Sequence, residues 1–273
     1  MYNPKKAARY WNNRIKNYQL HPAVLSLHAS QFLNNAYSKW ESDALTKELG
    51  AIRGKKIVDL ACGGGRVSIP LAKSGAKVTG VDIAKNMLKF TEEKARKSSC
   101  LTNLKLVNSS VWNTQLPSNH FDKVLLLGIL EHLPDNLKKQ TIREAHRIAK
   151  KNGKIFIVIN NKNSMFLSNV QKWKKPKQTK SGYYSSLMKP EEIIRFLKSF
   201  KTKPKIINSN LNYSIAYHLF ETLNSNISKD DSKKISALFE YLIHQDSKRG
   251  NNWKNYNLLE DKFADQFFIV VKK

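Results

Sequence analysis

The sequence contains few cysteines and no long apolar run. Its two cysteines, Cys62 and Cys100, are too few for a disulfide framework, and no Cys-x-x-Cys pair indicates a structural zinc site. The apolar runs at 124–130 and 267–271 are far shorter than the roughly 20 residues that cross a bilayer. No apolar stretch follows the basic N-terminus, so the sequence does not indicate a secretory signal. We therefore expect a cytoplasmic protein without a membrane span.

Acidic residues are also scarce. The chain has 21 Asp and Glu residues against 48 Lys and Arg residues, which gives a formal net charge of +27. The densest segment is 162–205, where 12 basic residues accompany 2 acidic ones. Biased codon usage explains an evenly spread excess of lysine more easily than a clustered one. An anionic partner for this segment and a purely compositional origin both stay open.

The spacing of apolar residues predicts an α/β fold. Helical spacing covers 3–18 and 23–48, and later helices are expected near 66–73, 84–97, 136–150 and 190–200. Asn152-Gly153 is expected to form a turn before the fifth strand, and two further helical stretches, about 214–223 and 231–244, precede the last strand. The predicted strands are short apolar runs at 56–60, 77–81, 104–107, 123–127, 154–159, 205–208 and 266–271.

Strands that alternate with helices predict one mostly parallel sheet with helices on both faces. We expect seven strands, an N-terminal helical lid over residues 1–50, and a main domain over residues 51–273. The alternation is interrupted at about 161–188 and again at about 211–262. The second interruption is expected to be a helical insertion before the last strand.

A glycine-rich segment, Asp-Leu-Ala-Cys-Gly-Gly-Gly at 59–65, joins the first strand to a helix. It departs from the dinucleotide pattern because Ser68 stands where the third glycine is needed. Asp59 would repel a pyrophosphate but suits a cationic ligand. Asp82 ends the second strand 17 residues after Gly65, where an acid is placed to accept both hydroxyls of a ribose. The segment thus fits an adenosine that lacks phosphates and carries a positive group.

Three segments in this order, 59–65, 78–88 (VTGVDIAKNML) and 121–135 (FDKVLLLGILEHLPD), resemble the motifs of class I S-adenosylmethionine-dependent methyltransferases. Ala61 replaces the first glycine of that family's first motif. The resemblance covers roughly residues 55–160 and implies S-adenosyl-L-methionine as the cofactor. By the same resemblance, the residues expected to bind the cofactor are Asp59, Ala61, Gly63, Gly65, Asp82, Ile83, Met87, Ser110, Val111, Leu127 and Arg14.

His132 and Glu131 are the candidate catalytic residues, because they follow the fourth strand, where this family builds its acceptor site. An imidazole titrates in the range that a general base needs. A structural histidine that orients the loop is the alternative. Some O-methyltransferases of this family hold a divalent ion through Glu-x-x-Glu-His, but the first position is Gly128 here. We therefore predict no metal.

Four aromatic residues are the candidate substrate contacts. Tyr10 and Trp11 lie on the predicted N-terminal helix, which closes over the cofactor in many relatives, and Tyr183 and Tyr184 lie near the end of the interruption at about 161–188. The alternative for Tyr10 and Trp11 is ordinary packing of an amphipathic helix. The alternative for Tyr183 and Tyr184 is that they are surface tyrosines of a loop.

These features predict methyl transfer by in-line displacement to an oxygen or nitrogen of a small, anionic metabolite. The alternative is an RNA methyltransferase, in which the basic segment 162–205 contacts phosphates and its aromatic residues stack on bases. The lysines of that segment include Lys172, Lys174 and Lys175 around Trp173. Neither hypothesis indicates an oligomeric state.

Overall fold

The computed structural model describes residues 2–17, 31–168, 176–211, 214–215, 217–218, 262 and 264–273. Of the helical stretch expected at 214–223, the structure describes 214–215 and 217–218, whereas the stretch expected at 231–244 lies outside the described residues. So do Lys172, Trp173, Lys174 and Lys175 of the basic segment.

One sheet organises the described chain, and its strand order is β3-β2-β1-β4-β5-β7-β6. Strands β1 to β5 are mutually parallel where they pair, whereas β7 runs antiparallel to both β5 and β6. The predicted seven-stranded, mostly parallel sheet is therefore confirmed. The strands are β1 Lys56–Leu60, β2 Lys77–Asp82, β3 Leu104–Asn108, β4 Phe121–Leu127, β5 Ala149–Asn160, β6 Lys205–Ser209 and β7 Gln266–Lys272.

Helices cover both faces of the sheet and extend beyond it at the N-terminus. Short 3₁₀ turns occur at Leu101–Asn103 and Leu130–His132. In the part of the chain that the structure describes, no helix is both long and apolar enough to span a membrane. The α-helices are α1 Pro4–Asn17, α2 Gln31–Leu49, α3 Ser68–Lys73, α4 Lys85–Lys97, α5 Asp135–Ile148, α6 Met165–Ser168 and α7 Pro190–Lys198.

Two apolar layers fill the space between the sheet and its helices. Val58 and Val124 belong to a cluster that includes the buried faces of α5 and α7. Their neighbours Ile57 and Leu125 belong to a second cluster, with residues of α2, α3 and α4. Successive side chains of a strand point to opposite faces, so an uninterrupted apolar run supplies both layers.

The fifth strand begins earlier than expected. Asn152-Gly153 does not form a turn before the strand; it lies inside β5, where the pairing with β4 is irregular. Ala149 already pairs with Phe121, and regular pairing resumes at Lys154. Asn152 adopts the left-handed conformation with a φ of 67°. The Asn-Gly pair thus forms a bulge within one strand, because the chain is paired on both sides of it.

Candidate active site

A pocket opens at the C-terminal end of β1, β2 and β4, which we call the pocket end of the sheet. It holds about 730 Å³ including its open mouth. Of the predicted cofactor-binding residues, those that line it are Ala61, Gly63, Asp82, Ile83, Met87, Val111 and Leu127. Crevices outside the carboxyl ends of parallel strands are the usual ligand sites of such sheets.

The glycine-rich segment forms the floor of the pocket through backbone held in unusual conformations. Ala61 has a φ of 66° and Gly63 a φ of 51°, both in the left-handed region. The Ala61 N–H donates to the Val81 carbonyl at 2.8 Å, which ties the segment to the end of β2. Alanine adds only a Cβ atom at this position, and Ala61 adopts the left-handed turn that the family's first glycine makes without strain.

Gly65 does not line the pocket. A Cβ atom at Gly65 would lie 2.6 Å from Thr91 Cγ2 and 2.8 Å from Ile69 Cδ1. The Thr91 hydroxyl also donates to the Gly63 carbonyl at 2.8 Å. The missing side chain at Gly65 therefore allows α4 to approach the glycine-rich segment, which is a packing role.

The Asp82 carboxylate is held at the pocket wall by backbone donors. Its Oδ2 accepts the Gly63 N–H at 2.9 Å, and its Oδ1 accepts the Ala84 N–H at 2.8 Å. Burial raises the pKa of Asp82 to about 6, although these hydrogen bonds act to lower it. An ionised carboxylate offers about four acceptor positions, so hydrogen-bond donors from a ligand can still bind beside these backbone groups.

Asp59 is buried beneath the glycine-rich segment and does not line the pocket. Its Oδ2 accepts the Ser68 hydroxyl at 2.6 Å, which holds the first residue of α3. Burial raises the pKa of Asp59 to about 6, opposed by the Ser68 hydrogen bond and by the nearby Arg66 guanidinium. Arg66 itself forms an ion pair with the buried Glu41 of α2. Asp59 thus joins a polar layer that supports the pocket floor from below.

His132 lines the pocket just beyond β4, and its ring is fixed in orientation. Its Nδ1 lies 3.0 Å from the Tyr184 carbonyl oxygen. A carbonyl only accepts, so Nδ1 carries the hydrogen of the neutral ring, and Nε2 is left with its lone pair. The ring also packs edge-on against Trp11, with ring centres 5.0 Å apart.

Glu131 lies behind this wall of the pocket. Its side chain is buried, and within the described residues its Oε2 has no hydrogen-bond partner. Burial raises the pKa of Glu131, while the adjacent His132 acts to lower it. The Ser186 N–H donates to the Glu131 carbonyl at 2.7 Å, so the segment that contains Tyr184 also holds this turn.

Gly128 begins the turn after β4 with a φ of 76°. A Cβ atom placed on it would lie 3.6 Å from Glu131 Oε1, in ordinary contact. Among the residues that the structure describes, no three His, Cys, Asp or Glu side chains are grouped as metal ligands would be.

The predicted substrate residues belong to two aromatic groups beside the pocket, and of the four only Trp11 lines it. Tyr10 packs against both Trp11 and Tyr183, with ring centres 5.1 and 5.3 Å apart. The Tyr184 ring contacts Tyr2, with centres 5.5 Å apart. Tyr10, Tyr183 and Tyr184 therefore support the wall.

Arg14 and Ser110 are the remaining predicted cofactor-binding residues, and neither lines the pocket. Arg14 donates to the Tyr10 hydroxyl at 3.2 Å, and its guanidinium lies 5.6 Å from the centre of the Trp11 ring. Ser110 donates to the Asn113 carbonyl at 3.3 Å, while its neighbour Val111 faces the pocket.

Several lining residues were not among the predicted site residues. They come from three separate parts of the chain, and apart from being uncharged they share no feature that distinguishes them in the sequence. They are Tyr2, Ala7, Trp112, Gly128, Ile129 and Leu133.

Helix α1 is attached at two points, one at Asn3 just before its start and one at Asn12 within it. The Asn86 N–H donates to Asn12 Oδ1 at 2.7 Å, which fixes α1 to the start of α4. The Asn3 N–H donates to Gln178 Oε1 at 2.8 Å, and Gln178 Nε2 donates to the Asn3 carbonyl at 3.0 Å. The N-terminal helix is thereby held across the pocket.

Residues 57–153 match the family described as a methyltransferase domain. This region is a class I S-adenosylmethionine-dependent methyltransferase domain. Ubiquinone biosynthesis O-methyltransferase of Pseudomonas aeruginosa is 33% identical over 116 residues, which cover 42% of this chain and 49% of that protein. Demethylmenaquinone methyltransferase of a Geobacillus species is 33% identical over 120 residues, 43% of this chain and 50% of that protein. The chain thus spans about half the length of the curated relatives it matches.

Solved structures share the fold of the methyltransferase domain well beyond the region of sequence similarity. Magnesium protoporphyrin IX methyltransferase of Synechocystis, solved with bound SAH, aligns over 89% of this chain and 86% of its own. The TM-score is 0.57 and the sequence identity 17%. At this identity the likeness establishes the fold alone.

Proposed function

We propose that the chain transfers a methyl group from S-adenosyl-L-methionine to an oxygen or nitrogen of a small molecule. The observation that carries the proposal is that Asp82 and His132, an acceptor for ribose hydroxyls and an oriented imidazole, line one pocket in a methyltransferase domain. Helix α1 is proposed as the lid, since it places Trp11 in the same wall, whereas α2 packs in the core against the sheet.

The lining residues fit this cofactor. Asp82 is proposed to accept the ribose hydroxyls, and the backbone at Ala61 and Gly63 allows close approach. Ile83 and Met87 offer apolar contacts to an adenine ring, with Val111. S-adenosyl-L-methionine supplies a methyl group that is already activated on a sulfonium. The protein therefore has to align the acceptor and remove its proton.

His132 is proposed as the general base. Its Nε2 carries the free lone pair and takes the proton of an acceptor hydroxyl or amine, while Nδ1 keeps its hydrogen bond to the Tyr184 carbonyl. The positive ring that results is favoured by the neighbouring carboxylate of Glu131. Glu131 thus acts through His132 and does not touch the acceptor.

A mainly apolar pocket that α1 partly covers favours a small acceptor over RNA. Helix α1 and its aromatic residues lie over the site, and the names of the O-methyltransferase relatives support oxygen as the acceptor atom. No lysine or arginine of the described chain lines the pocket, so its wall adds no support for an anionic acceptor. Within the described residues, no contact of the segment 162–205 favours RNA methylation.

The cytoplasmic location remains a prediction. Both cysteines are free and buried.

The role of His132 is tested with His132→Asn. We expect kcat to fall by about 10²–10⁴, the usual contribution of a general base, with cofactor affinity within about twofold of wild type. The assay follows release of the demethylated cofactor with a panel of small phenols, carboxylates and amines. His146→Asn is the matched control, because His146 stacks on Phe200 away from the pocket.

The outcomes separate the two parts of the proposal. A chain that binds no S-adenosyl-L-methionine in calorimetry would contradict the methyltransferase function. A His132→Asn variant with wild-type kcat would leave that function standing and remove the base.

A further inference from the structure

Every strand of the sheet carries a lysine at the end opposite the pocket. Parallel strands β1 to β5 begin at this end, and β7 finishes there because it is antiparallel. The pocket ends of the strands, such as Leu60, Asp82 and Leu127, carry no basic residue. We call the lysines at this end the lysine rim; they are Lys56, Lys77, Lys105, Lys123, Lys154, Lys205 and Lys272.

The strand register places several of these lysines directly beside one another. Lys56 pairs with Lys77, and Lys154 pairs with both Lys123 and Lys272. Like charges directly opposite each other across strands are destabilising. The lysine rim therefore concentrates positive charge at a cost to the sheet, which an anion bound there would relieve.

Part of the lysine rim has a structural role. Lys123 Nζ donates to the Leu49 carbonyl at 2.6 Å, and Lys154 Nζ donates to the Glu48 carbonyl at 2.9 Å. Both bonds satisfy carbonyls at the C-terminal end of α2, where cations also complement the helix dipole. These two lysines are therefore accounted for by the fold.

Other members of the lysine rim do not bind helix carbonyls, although Lys77 Nζ donates to the neutral Asn103 Oδ1 at 3.0 Å. Lys56, Lys77 and Lys272 are exposed, and within the described ranges none of them forms an ion pair with a carboxylate. Lys56 Nζ lies 3.3 Å from His120 Nε2. The pKa of His120 is lowered by burial and then by the charges of Lys56 and Lys150, while Asp122, which pairs with Lys150, acts to raise it.

We propose that the lysine rim binds the phosphate backbone of a nucleic-acid duplex. Seven strands spaced about 4.8 Å apart make a row about 29 Å long. Over that length a duplex presents about 17 phosphate charges, so several lysines reach phosphates at once. The duplex is a docking partner and not the methyl acceptor, because the pocket opens at the other end of the sheet.

The surroundings of the lysine rim favour a duplex over two other anionic partners. Single strands bind to aromatic residues on which their bases stack, and membranes bind most firmly where apolar side chains insert beside the charges. Among the described residues, Met165 is the exposed large apolar side chain, and it follows β5 at the pocket end. Within the described residues, the lysine rim therefore offers charge without an exposed apolar anchor, and the His120 ring beside Lys56 packs edge-on against Phe121.

The test compares two triple variants of equal charge. Lys56→Gln, Lys77→Gln and Lys272→Gln removes three exposed rim lysines, whereas Lys89→Gln, Lys139→Gln and Lys162→Gln removes three exposed lysines elsewhere. Fluorescence anisotropy with a 20-base-pair duplex, as DNA and as RNA, is measured across a salt titration. We expect the rim variant to bind at least about tenfold more weakly at low salt and its log–log salt slope to flatten by about three. The control variant should keep most of the affinity.

A second measurement works on the wild-type chain and does not depend on how the variant folds. Bound duplex should protect Lys56, Lys77 and Lys272 from acetylation, read by mass spectrometry, and leave Lys89, Lys139 and Lys162 reactive. Equal loss of affinity in both triple variants, unchanged binding by the rim variant, or absence of this protection would each overturn the proposal. If phosphatidylglycerol vesicles bind the wild type more tightly than the duplex does, and the rim variant loses this binding, the rim would be assigned to a membrane surface instead.

Discussion

Asp59 and Asp82 are both aspartates near the ends of neighbouring strands, yet the structure gives them different surroundings. Asp82 lines the pocket and accepts two backbone N–H groups, whereas Asp59 lies below the glycine-rich segment and accepts the Ser68 hydroxyl. A resemblance to family motifs assigns both acids to the cofactor. The contacts favour a direct role for Asp82 and a supporting role for Asp59.

We predict that Asp82→Ala weakens binding of S-adenosyl-L-methionine by at least about tenfold. The substitution removes acceptors whose charge-assisted hydrogen bonds contribute on the order of 1.5–3 kcal/mol each. Isothermal titration calorimetry provides the measurement. Asp43→Ala is the control, because Asp43 pairs with Lys39 on the surface of α2. Unchanged affinity in Asp82→Ala would contradict the proposed role of this carboxylate.

At the scale of elements, α1 closes the pocket because another segment packs tightly against its first turn. Gly182 has a φ of 106°, and a Cβ atom on it would lie 2.1 Å from the Lys6 carbonyl oxygen. The segment after Gly182 contains Tyr184, whose carbonyl holds His132. The lid and the proposed base are thus positioned by one contact surface.

We predict that Gly182→Ala displaces α1 and speeds dissociation of the cofactor by roughly tenfold, since affinity changes within one site appear mostly in the dissociation rate. Stopped-flow measurement of the fluorescence change on cofactor release, to which Trp11 in the pocket wall contributes, gives this rate. Gly50→Ala is the control, because Gly50 also has a positive φ, 62°, but nothing within 4 Å. Equal effects of the two substitutions would show that backbone strain, and not the collision with α1, is responsible.

At the scale of the whole molecule, buried carboxyls link stability to pH. The pKa values of Asp59 and Asp82 are raised to about 6 in the folded chain, compared with about 3.9 in an unfolded chain. The folded state therefore binds these protons more tightly. Their contribution to stability is complete below about pH 4 and is lost as pH rises through about 6.

We predict that Asp59→Asn becomes more stable relative to wild type as pH rises from about 4 to about 7. The gain should approach about 3 kcal/mol, the value of a shift of two pKa units. Urea unfolding of the cofactor-free protein across this range gives the difference. Glu144→Gln should change in the opposite sense: burial acts to raise the pKa of Glu144, but hydrogen bonds from Arg147 and Thr114 lower it overall. A flat difference for Asp59→Asn would contradict a raised pKa.

Local chemistry made much of the fold predictable. Apolar runs of four to seven residues are strands in the structure, and Pro190 begins the helix it was expected to begin. The prediction failed at Asn152-Gly153, because a dipeptide that favours a turn is equally compatible with a bulge when pairing continues on both sides. Pairing partners distant in sequence decided between the two.

The sequence by itself determined the sheet, the glycine-rich segment and the placement of Asp82 and His132 at strand ends, because periodicity and strand-to-helix turns are local properties. Only the tertiary structure decided which residues close the pocket. Tyr2 and Trp112 line it although more than a hundred residues separate them. The tertiary structure also aligned the lysine rim, since lysines far apart in the chain become neighbours only through strand register. Contacts of this kind depend on which elements pack together, and no local pattern carries that information.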